Sequence, residues 1–134
     1  MSKPLDQLQD YFRTDHHGAV AVYLFGSTAR GTDSRRSDID IGLLYRESPP
    51  RSLDAPSFSI KGDIEARLHR PVDLVVLNHA SADLCHRVFR DGILVLDRDR
   101  AYRIRFEVKK RNEYLDLLPV LRRYRRYPEE RAVR

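Results

Sequence analysis

Apolar residues fall in short blocks along the chain, and these blocks predict four strands. The run Ala19–Phe25 is continuously apolar, as in a strand that is buried on both faces. In Asp38–Tyr45, acidic or small residues alternate with aliphatic ones, which is typical of a strand with one buried face. Val72–Leu77 predicts a third strand, and Ile93–Leu96 a short fourth one.

Apolar residues spaced by three or four predict helices before, between and after these strands. The first two are expected at Pro4–Arg13 and Leu53–Leu68. A third is capped by Ser81 and ends at Arg90, and a long fourth runs over Asp99–Leu118, where Pro119 is expected to end it. Helices that alternate with strands indicate an α/β or α+β fold, a sheet covered by helices.

The length of 134 residues suits a single domain over 1–134. The sequence contains no apolar run long enough for a transmembrane helix and begins without the apolar stretch of a secretory signal. Cys85 is the single cysteine, which excludes an intrachain disulfide and a cysteine-only zinc site. We therefore expect a reduced, cytoplasmic protein without membrane association.

Positive charge is concentrated at the C-terminal end. Residues 98–134 carry 13 Lys/Arg and 6 Asp/Glu, a net charge of +7, within a chain of net charge +5. The rest of the chain is slightly acidic, at −2. This basic helical segment could contact an acidic partner or simply be a solvated helix face.

Three acidic residues form a candidate metal site. Asp38 and Asp40 are two residues apart, so their side chains point to the same side of the second strand. Such carboxylates repel each other unless a cation neutralises them, and their hard oxygen atoms suit Mg²⁺ or Mn²⁺. If the third strand lies beside the second, Asp73 can face the same ions.

A candidate phosphate-binding turn follows the first strand. Gly26 lets a phosphate approach the backbone, Ser27 adds a hydroxyl donor, and Arg30 adds a cation one turn later. Ser27 could alternatively cap a helix. A metal-bound triphosphate would fit between this turn and the acidic residues.

Together these residues resemble a known family. Gly26-Ser27, ten residues and then Asp38-Ile39-Asp40 match the signature of polymerase-beta-type nucleotidyltransferases, and the resemblance covers about 19–77. The short chain is similar to the minimal nucleotidyltransferases, and more narrowly to the MntA-type adenylyltransferase antitoxins that pair with HEPN-domain toxins. The resemblance implies a polymerase-beta-like fold with a small mixed sheet flanked by helices.

The resemblance also implies roles for single residues. Gly26 and Ser27 would hold the β- and γ-phosphates of ATP, and Arg30 would contact phosphate. Asp38 and Asp40 would bind two Mg²⁺ ions, with Mn²⁺ as an alternative, and Asp73 would hold the ion near the attacking hydroxyl. The implied activity is transfer of AMP to a tyrosine of a HEPN-domain RNase toxin, which silences the toxin.

Two other functions stay open. One is a nucleotidyltransferase acting on a small molecule such as an aminoglycoside, although such enzymes usually carry a further helical domain. The other is a binding module that masks a toxin without catalysis. We expect a hetero-oligomer formed through the C-terminal helix, and no direct binding of nucleic acid.

The C-terminal helix carries two apolar stripes, more than packing on a small body requires. One stripe could cover the sheet while the other meets a partner. The first comprises Ala101, Ile104, Val108, Leu115 and Leu118, and the second comprises Tyr102, Phe106, Tyr114 and Leu117.

Several other residues are expected to have no catalytic role. Cys85 shares a helix face with Phe89 and is interpreted as a packing residue. Asp33, Arg35 and Arg36 are interpreted as solvated loop residues.

Overall fold

The structure, a computed structural model, describes residues 3–32, 37–49 and 56–126. It contains five α-helices and four strands within these ranges. The helices are α1 (Pro4–Thr14), α2 (Gly26–Arg30), α3 (Pro56–Leu68), α4 (Ala82–Asp91) and α5 (Arg100–Arg126). The strands are β1 (Ala19–Phe25), β2 (Ile39–Tyr45), β3 (Val72–Val76) and β4 (Ile93–Asp97), and a 3₁₀ turn spans Leu77–His79.

The four strands form one mixed sheet in the order β3-β2-β1-β4. The central strand β1 is antiparallel to both β2 and β4, whereas β2 and β3 are parallel. As a result, β1 finishes at the same end of the sheet at which the other three strands begin. We call this the site end of the sheet, and the prediction of a small mixed sheet is confirmed.

Helices cover both faces of the sheet, as predicted. On one face, α1 and α3 enclose an aliphatic core that includes Leu8, Phe12, Leu24, Ile41 and Ile64. On the other face, α4 packs on the sheet and α5 packs on α4, around Tyr23, Leu44, Leu77, Cys85 and Val88. None of the helices over the described ranges combines the length and apolar character that a membrane crossing requires.

Two local sequence predictions on α4 are confirmed. The Ser81 hydroxyl caps this helix by accepting a hydrogen bond from the Leu84 N–H at 3.2 Å. Cys85 is buried beneath the helix, and its Sγ lies 3.7 Å from the Leu77 carbonyl oxygen. Burial raises the pKa of the Cys85 thiol to about 11, so it is a packing residue rather than a nucleophile.

The structure corrects one helix boundary. The prediction that Pro119 ends the last helix is wrong, because α5 continues through Pro119 to Arg126. A proline inside a helix removes the N–H that would donate to the carbonyl four residues earlier. Here that carbonyl belongs to Leu115, an exposed residue, so water can satisfy it.

Some predictions fall on residues that the structure does not describe. Asp33, Arg35 and Arg36 lie outside the described residues, as do the first three positions of the helix expected from Leu53. The segment from 127 onward is likewise outside them. At the second strand the structure begins one residue later than predicted, at Ile39.

Polar contacts fix the first half of α5 to the sheet. The buried Tyr23 donates its hydroxyl hydrogen to Glu107 Oε1 at 2.7 Å. Arg103 bonds the same carboxylate at 3.0 Å and pairs with Asp97 at 3.0 Å. Tyr102 donates to the Tyr45 and Arg46 carbonyl oxygens at 3.2 and 3.0 Å. The start of α5 is therefore held by one partly buried charged network and by the neutral contacts of Tyr102.

The two tyrosines should differ in their contribution to stability. Tyr23→Phe removes a hydrogen bond to a carboxylate and should lower the free energy of unfolding by about 1.5–3 kcal/mol. Tyr102→Phe removes hydrogen bonds to neutral carbonyls and should cost about 0.5–1.5 kcal/mol. Urea denaturation measures both. An equal or larger loss for Tyr102→Phe would contradict the importance assigned to the charged network.

Candidate active site

The register of the parallel strands brings two acidic residues together. Asp40 of β2 lies opposite Asp73 of β3, between the pairs Ile39–Val72 and Ile41–Leu74. Neighbours in register point to the same face of a sheet. The sequence-based condition that the third strand lies beside the second is therefore met, and Asp73 faces the same side as Asp40.

These acidic side chains lie at the site end, on the face that carries α4. A β-carbon at Gly42, two residues after Asp40, would lie 3.3 Å from the Leu77 side chain, which belongs to the core beneath α4. Asp40 is half-buried, whereas Asp38 and Asp73 are exposed. The cluster is thus open to solvent and backed by the interior of the protein on one side.

Electrostatics shows that the three carboxylates influence one another. The pKa of Asp40 is raised, first by burial and then by the negative charges of Asp73 and Asp38. The nearby Arg30 acts in the opposite direction without cancelling the effect. Over the described residues, this cluster of negative charge is therefore only partly compensated.

The Gly-Ser turn touches this cluster directly. Gly26 has a φ of +74°, and a β-carbon at this position would lie 2.2 Å from Asp40 Oδ2. Both the left-handed backbone and the close carboxylate therefore require glycine. The turn and the metal-site candidates predicted from separate parts of the sequence are adjacent in space.

Helix α2 begins at Gly26 and offers an uncapped first turn. The capping position is Phe25, whose side chain makes no capping hydrogen bond, so the alternative that Ser27 is the N-cap is wrong. Ser27 lies inside the first turn instead. The helix closes at Gly31, which also has a φ of +74° and donates to the Thr28 carbonyl at 3.3 Å. Arg30, the last residue of α2, is exposed beside the acidic cluster.

One residue of the site escaped the sequence analysis. Arg70 donates through Nε and a terminal nitrogen to the Ser37 carbonyl oxygen at 3.1 and 3.0 Å, and reaches Thr28 Oγ1 at 3.5 Å. It thereby ties the residue before Asp38 to helix α2. We interpret Arg70 as a positioning residue that holds the two walls of the site together.

The carboxylate oxygen atoms of the acidic cluster are of the type that binds a divalent cation, but their positions are too far apart to bind one. Over the described ranges, no three histidine, cysteine, aspartate or glutamate side chains converge tightly enough to hold a metal ion as they stand. Asp38, Asp40 and Asp73 nevertheless supply the hard oxygen atoms and the uncompensated charge that such an ion requires. Binding would need the exposed Asp38 and Asp73 side chains to rotate toward Asp40.

Comparison with known proteins identifies the family of this chain. The family described as polymerase beta nucleotidyltransferase matches residues 6–101, which is most of the chain. The chain belongs to this family. The family resemblance and the polymerase-beta-like fold expected from the sequence are therefore confirmed.

A curated relative points to a narrower group within this nucleotidyltransferase family. The chain is similar to the protein adenylyltransferase MntA of Shewanella oneidensis, with 39% identity over 72 residues. The matched segment covers 53% of this chain and 49% of the relative, so the similarity spans about half the length of that protein.

Two solved structures share the fold. A crystal structure of a toxin–antitoxin with AMP-PNP is similar with a TM-score of 0.74 and 25% identity, over 94% of this chain and 96% of the other. A structure of a putative minimal nucleotidyltransferase has a TM-score of 0.54 and 30% identity, over 66% of this chain and 86% of the other.

The raised pKa of Asp40 predicts a stability change that depends on pH. The folded protein holds the Asp40 proton more tightly than the unfolded chain, so its contribution to stability is lost as pH rises through the folded-state pKa. Asp40→Asn removes this penalty and should raise Tm at pH 7 by about 2–4 °C. The gain should shrink toward zero below the unfolded-state pKa. Thermal melts across this range test it, with the exposed Asp116→Asn on α5 as the unaffected control.

The positioning role of Arg70 predicts local loosening. Arg70→Met should speed hydrogen exchange at the backbone amides of Asp38 and Ile39 by about tenfold, because a bidentate contact to the preceding carbonyl is lost. Hydrogen-exchange mass spectrometry or NMR measures this, and the exposed Arg13→Met on α1 serves as the control. Unchanged exchange at these amides would contradict the assignment.

Proposed function

We propose that this nucleotidyltransferase transfers AMP from ATP to a tyrosine hydroxyl of a HEPN-domain toxin and thereby neutralises the toxin. The observation that carries the proposal is the in-register pair Asp40–Asp73 beside the Gly26–Ser27 turn. This juxtaposition provides a site for acidic metal ligands next to a site for phosphate. ATP bound between them would present its phosphates to both.

The family pattern suggests how the residues divide the work. Gly26 and Ser27 hold the β- and γ-phosphates through the uncapped first turn of α2 and the Ser27 hydroxyl. Arg30 adds positive charge at the end of the same helix. These contacts fix the triphosphate and leave the α-phosphate facing the carboxylates.

Asp38 and Asp40 would hold two divalent cations, Mg²⁺ or Mn²⁺, and Asp73 one of them. When bound, such cations act as Lewis acids and neutralise the charge that develops on the phosphate oxygens. The raised pKa of Asp40 supports this assignment, because a cluster of uncompensated carboxylates gains most from a cation.

The transfer itself is an in-line displacement. The tyrosine oxygen attacks the α-phosphorus of ATP, a new O–P bond forms, and the bond between the α-phosphorus and the oxygen of the leaving pyrophosphate breaks. The phenol proton passes to the Asp73 carboxylate, which is exposed and therefore able to release it to water. Asp73 helps to deprotonate the acceptor.

A protein acceptor is supported by the relatives and by the surface of this chain. The curated relative is a protein adenylyltransferase, and the similar crystal structure is a toxin–antitoxin with an ATP analogue. Helix α5 exposes large apolar side chains, a feature that marks protein contacts. Leu117 and Val120, near the end of the helix, are 42% and 50% exposed.

The proposal predicts a covalent product that depends on the acidic cluster. The wild-type chain, the cognate HEPN-domain toxin, ATP and Mg²⁺ should yield toxin whose intact mass has increased by one or more AMP groups. Asp38→Asn combined with Asp40→Asn should slow the modification by roughly 10²–10³-fold or more. Removal of divalent cations with EDTA should have a similar effect, and added Mn²⁺ should restore transfer.

Asp6→Asn on α1, on the opposite face of the sheet, provides a matched control that should leave transfer unchanged. An equal adduct from the Asp38/Asp40 double variant would refute catalysis by this cluster. If that variant makes no adduct but still protects cells from the toxin at normal expression, masking alone is sufficient. Adduct formation on a small hydroxyl compound without any toxin would favour the small-molecule alternative.

A further inference from the structure

Helix α5 is longer than the surface that supports it. Its inner face packs as far as Tyr114: Phe106 meets Phe89 edge-on with ring centroids 6.2 Å apart, and Tyr114 stacks on His86. The same apolar stripe continues with Leu117 one turn later, at helical spacing. Leu117 is 42% exposed, however, so the stripe loses its cover between Tyr114 and Leu117.

The uncovered part of α5 forms one wall of a corner. Besides Leu117, this wall carries Val120, which is 50% exposed, and the half-buried Leu121. All three side chains are aliphatic. Arg122 and Arg123 follow them and are exposed.

The outward side of α4 forms the other wall. A groove of about 280 Å³ lies where the two helices meet, and it is lined by Asp83, His86, Arg87, Arg90 and Tyr114. The Arg87 and Arg90 side chains are 58% and 57% exposed. Arg87 reaches Asp83 only at 3.9 Å, whereas Arg90 bonds Asp91 at 3.0 Å. This wall is therefore polar, and its two arginines pair with Asp83 and Asp91 yet stay more than half exposed.

The corner is on the same side of the protein as the acidic cluster. Helix α4 covers the sheet face that Asp40 and Asp73 share, and it ends just before β4 begins at the site end. The hydrogen bond from Arg90 lowers the pKa of Asp91, and Arg30 of α2 lowers it further. The last turn of α4 is thus within electrostatic reach of Arg30, which also acts on Asp40.

The chemistry of the corner favours a protein over a nucleic acid. The His86 and Tyr114 rings are parallel to within 4° with centroids 3.9 Å apart, so each already occupies one face of the other. Leu117 and Val120 offer no hydrogen bond to a base or a phosphate. Aliphatic contacts beside exposed arginines instead match a helix with apolar residues along one side and carboxylates next to them. The ten Lys/Arg and three Asp/Glu of α5 add to the positive field.

We propose that the corner, defined as the groove residues of α4 together with Leu117, Val120 and Leu121 of α5, seats an acidic amphipathic helix of the partner protein. The identity of that partner as the HEPN-domain toxin rests on the proposed function. A partner bound along α4 lies on the sheet face where Asp73 is exposed, and the last turn of α4 reaches the site end. The corner is thereby on the side from which an acceptor hydroxyl can approach the carboxylates.

The test compares two pairs of matched variants of the full-length chain. Leu117→Asp faces the corner, whereas Leu115→Asp, 52% exposed on the first apolar stripe, faces away from it. Arg87→Glu reverses a charge in the groove, and the exposed Arg111→Glu does so elsewhere on α5. Calorimetric titration with the cognate HEPN-domain toxin should show affinity reduced about tenfold or more by Leu117→Asp and Arg87→Glu. Each control should change affinity by less than about threefold.

ATP binding, measured separately, should be unchanged in all four variants. A loss of affinity in Leu115→Asp as large as in Leu117→Asp would move the interface to the other stripe and overturn the proposal. The same holds if the wild type sediments alone as a dimer that Leu117→Asp dissociates, or if Leu117→Asp abolishes binding of single-stranded RNA rather than of toxin.

The two proposals fail in different ways. If the toxin gains AMP but both corner variants bind it normally, the corner is wrong and the proposed function stands. If both corner variants lose affinity but the wild type adds no AMP, the corner stands and the proposed function fails. A wild-type chain that does not bind the toxin overturns both.

Discussion

The candidate site depends on the close approach of the Asp40 carboxylate to the backbone of Gly26. A side chain at position 26 would overlap this carboxylate, and the backbone there has a positive φ. Gly26 follows the last residue of β1 and is the first residue of α2, whereas Asp40 is the second residue of β2. This one contact therefore places the candidate phosphate-binding turn directly beside the strand that carries Asp40.

Over the described residues, Arg30 opposes the negative charge around Asp40 without cancelling it. Arg70 directs its guanidinium to the Ser37 carbonyl and the Thr28 hydroxyl, so it organises the walls of the site. Arg30 is exposed and only moderates the pKa of Asp40. Carboxylates held together in this way lower the stability of the free protein, and the same repulsion becomes a source of affinity for a cation.

Local patterns predicted the strands of the described ranges, because apolar runs locate each of them. Alternation around Ile39 predicts that Asp38 and Asp40 point to one side. The pairing of Asp40 with Asp73 was only conditional, because it depends on strand order, which no local pattern determines. Arg70 was missed for a related reason. Its acceptors are a backbone carbonyl and a hydroxyl that are far from it in the sequence, so no local pattern around Arg70 indicates these contacts. The prediction at Pro119 was wrong because the sequence does not show whether the carbonyl four residues earlier, which loses its N–H donor, is exposed to water.

The C-terminal helix shows a further limit of periodicity. The stripe through Phe106, Tyr114 and Leu117 has the same spacing whether or not anything lies beneath it, so the pattern does not show which part of it is covered. Only the structure shows that α4 supports the first part and leaves the rest exposed. Exposed aliphatic side chains contribute nothing to the stability of the free chain, whereas covering them yields roughly 25 cal/mol for each Å² of apolar surface buried. This free energy is gained only when a partner binds. The adjoining arginines of α4 favour a partner of opposite charge.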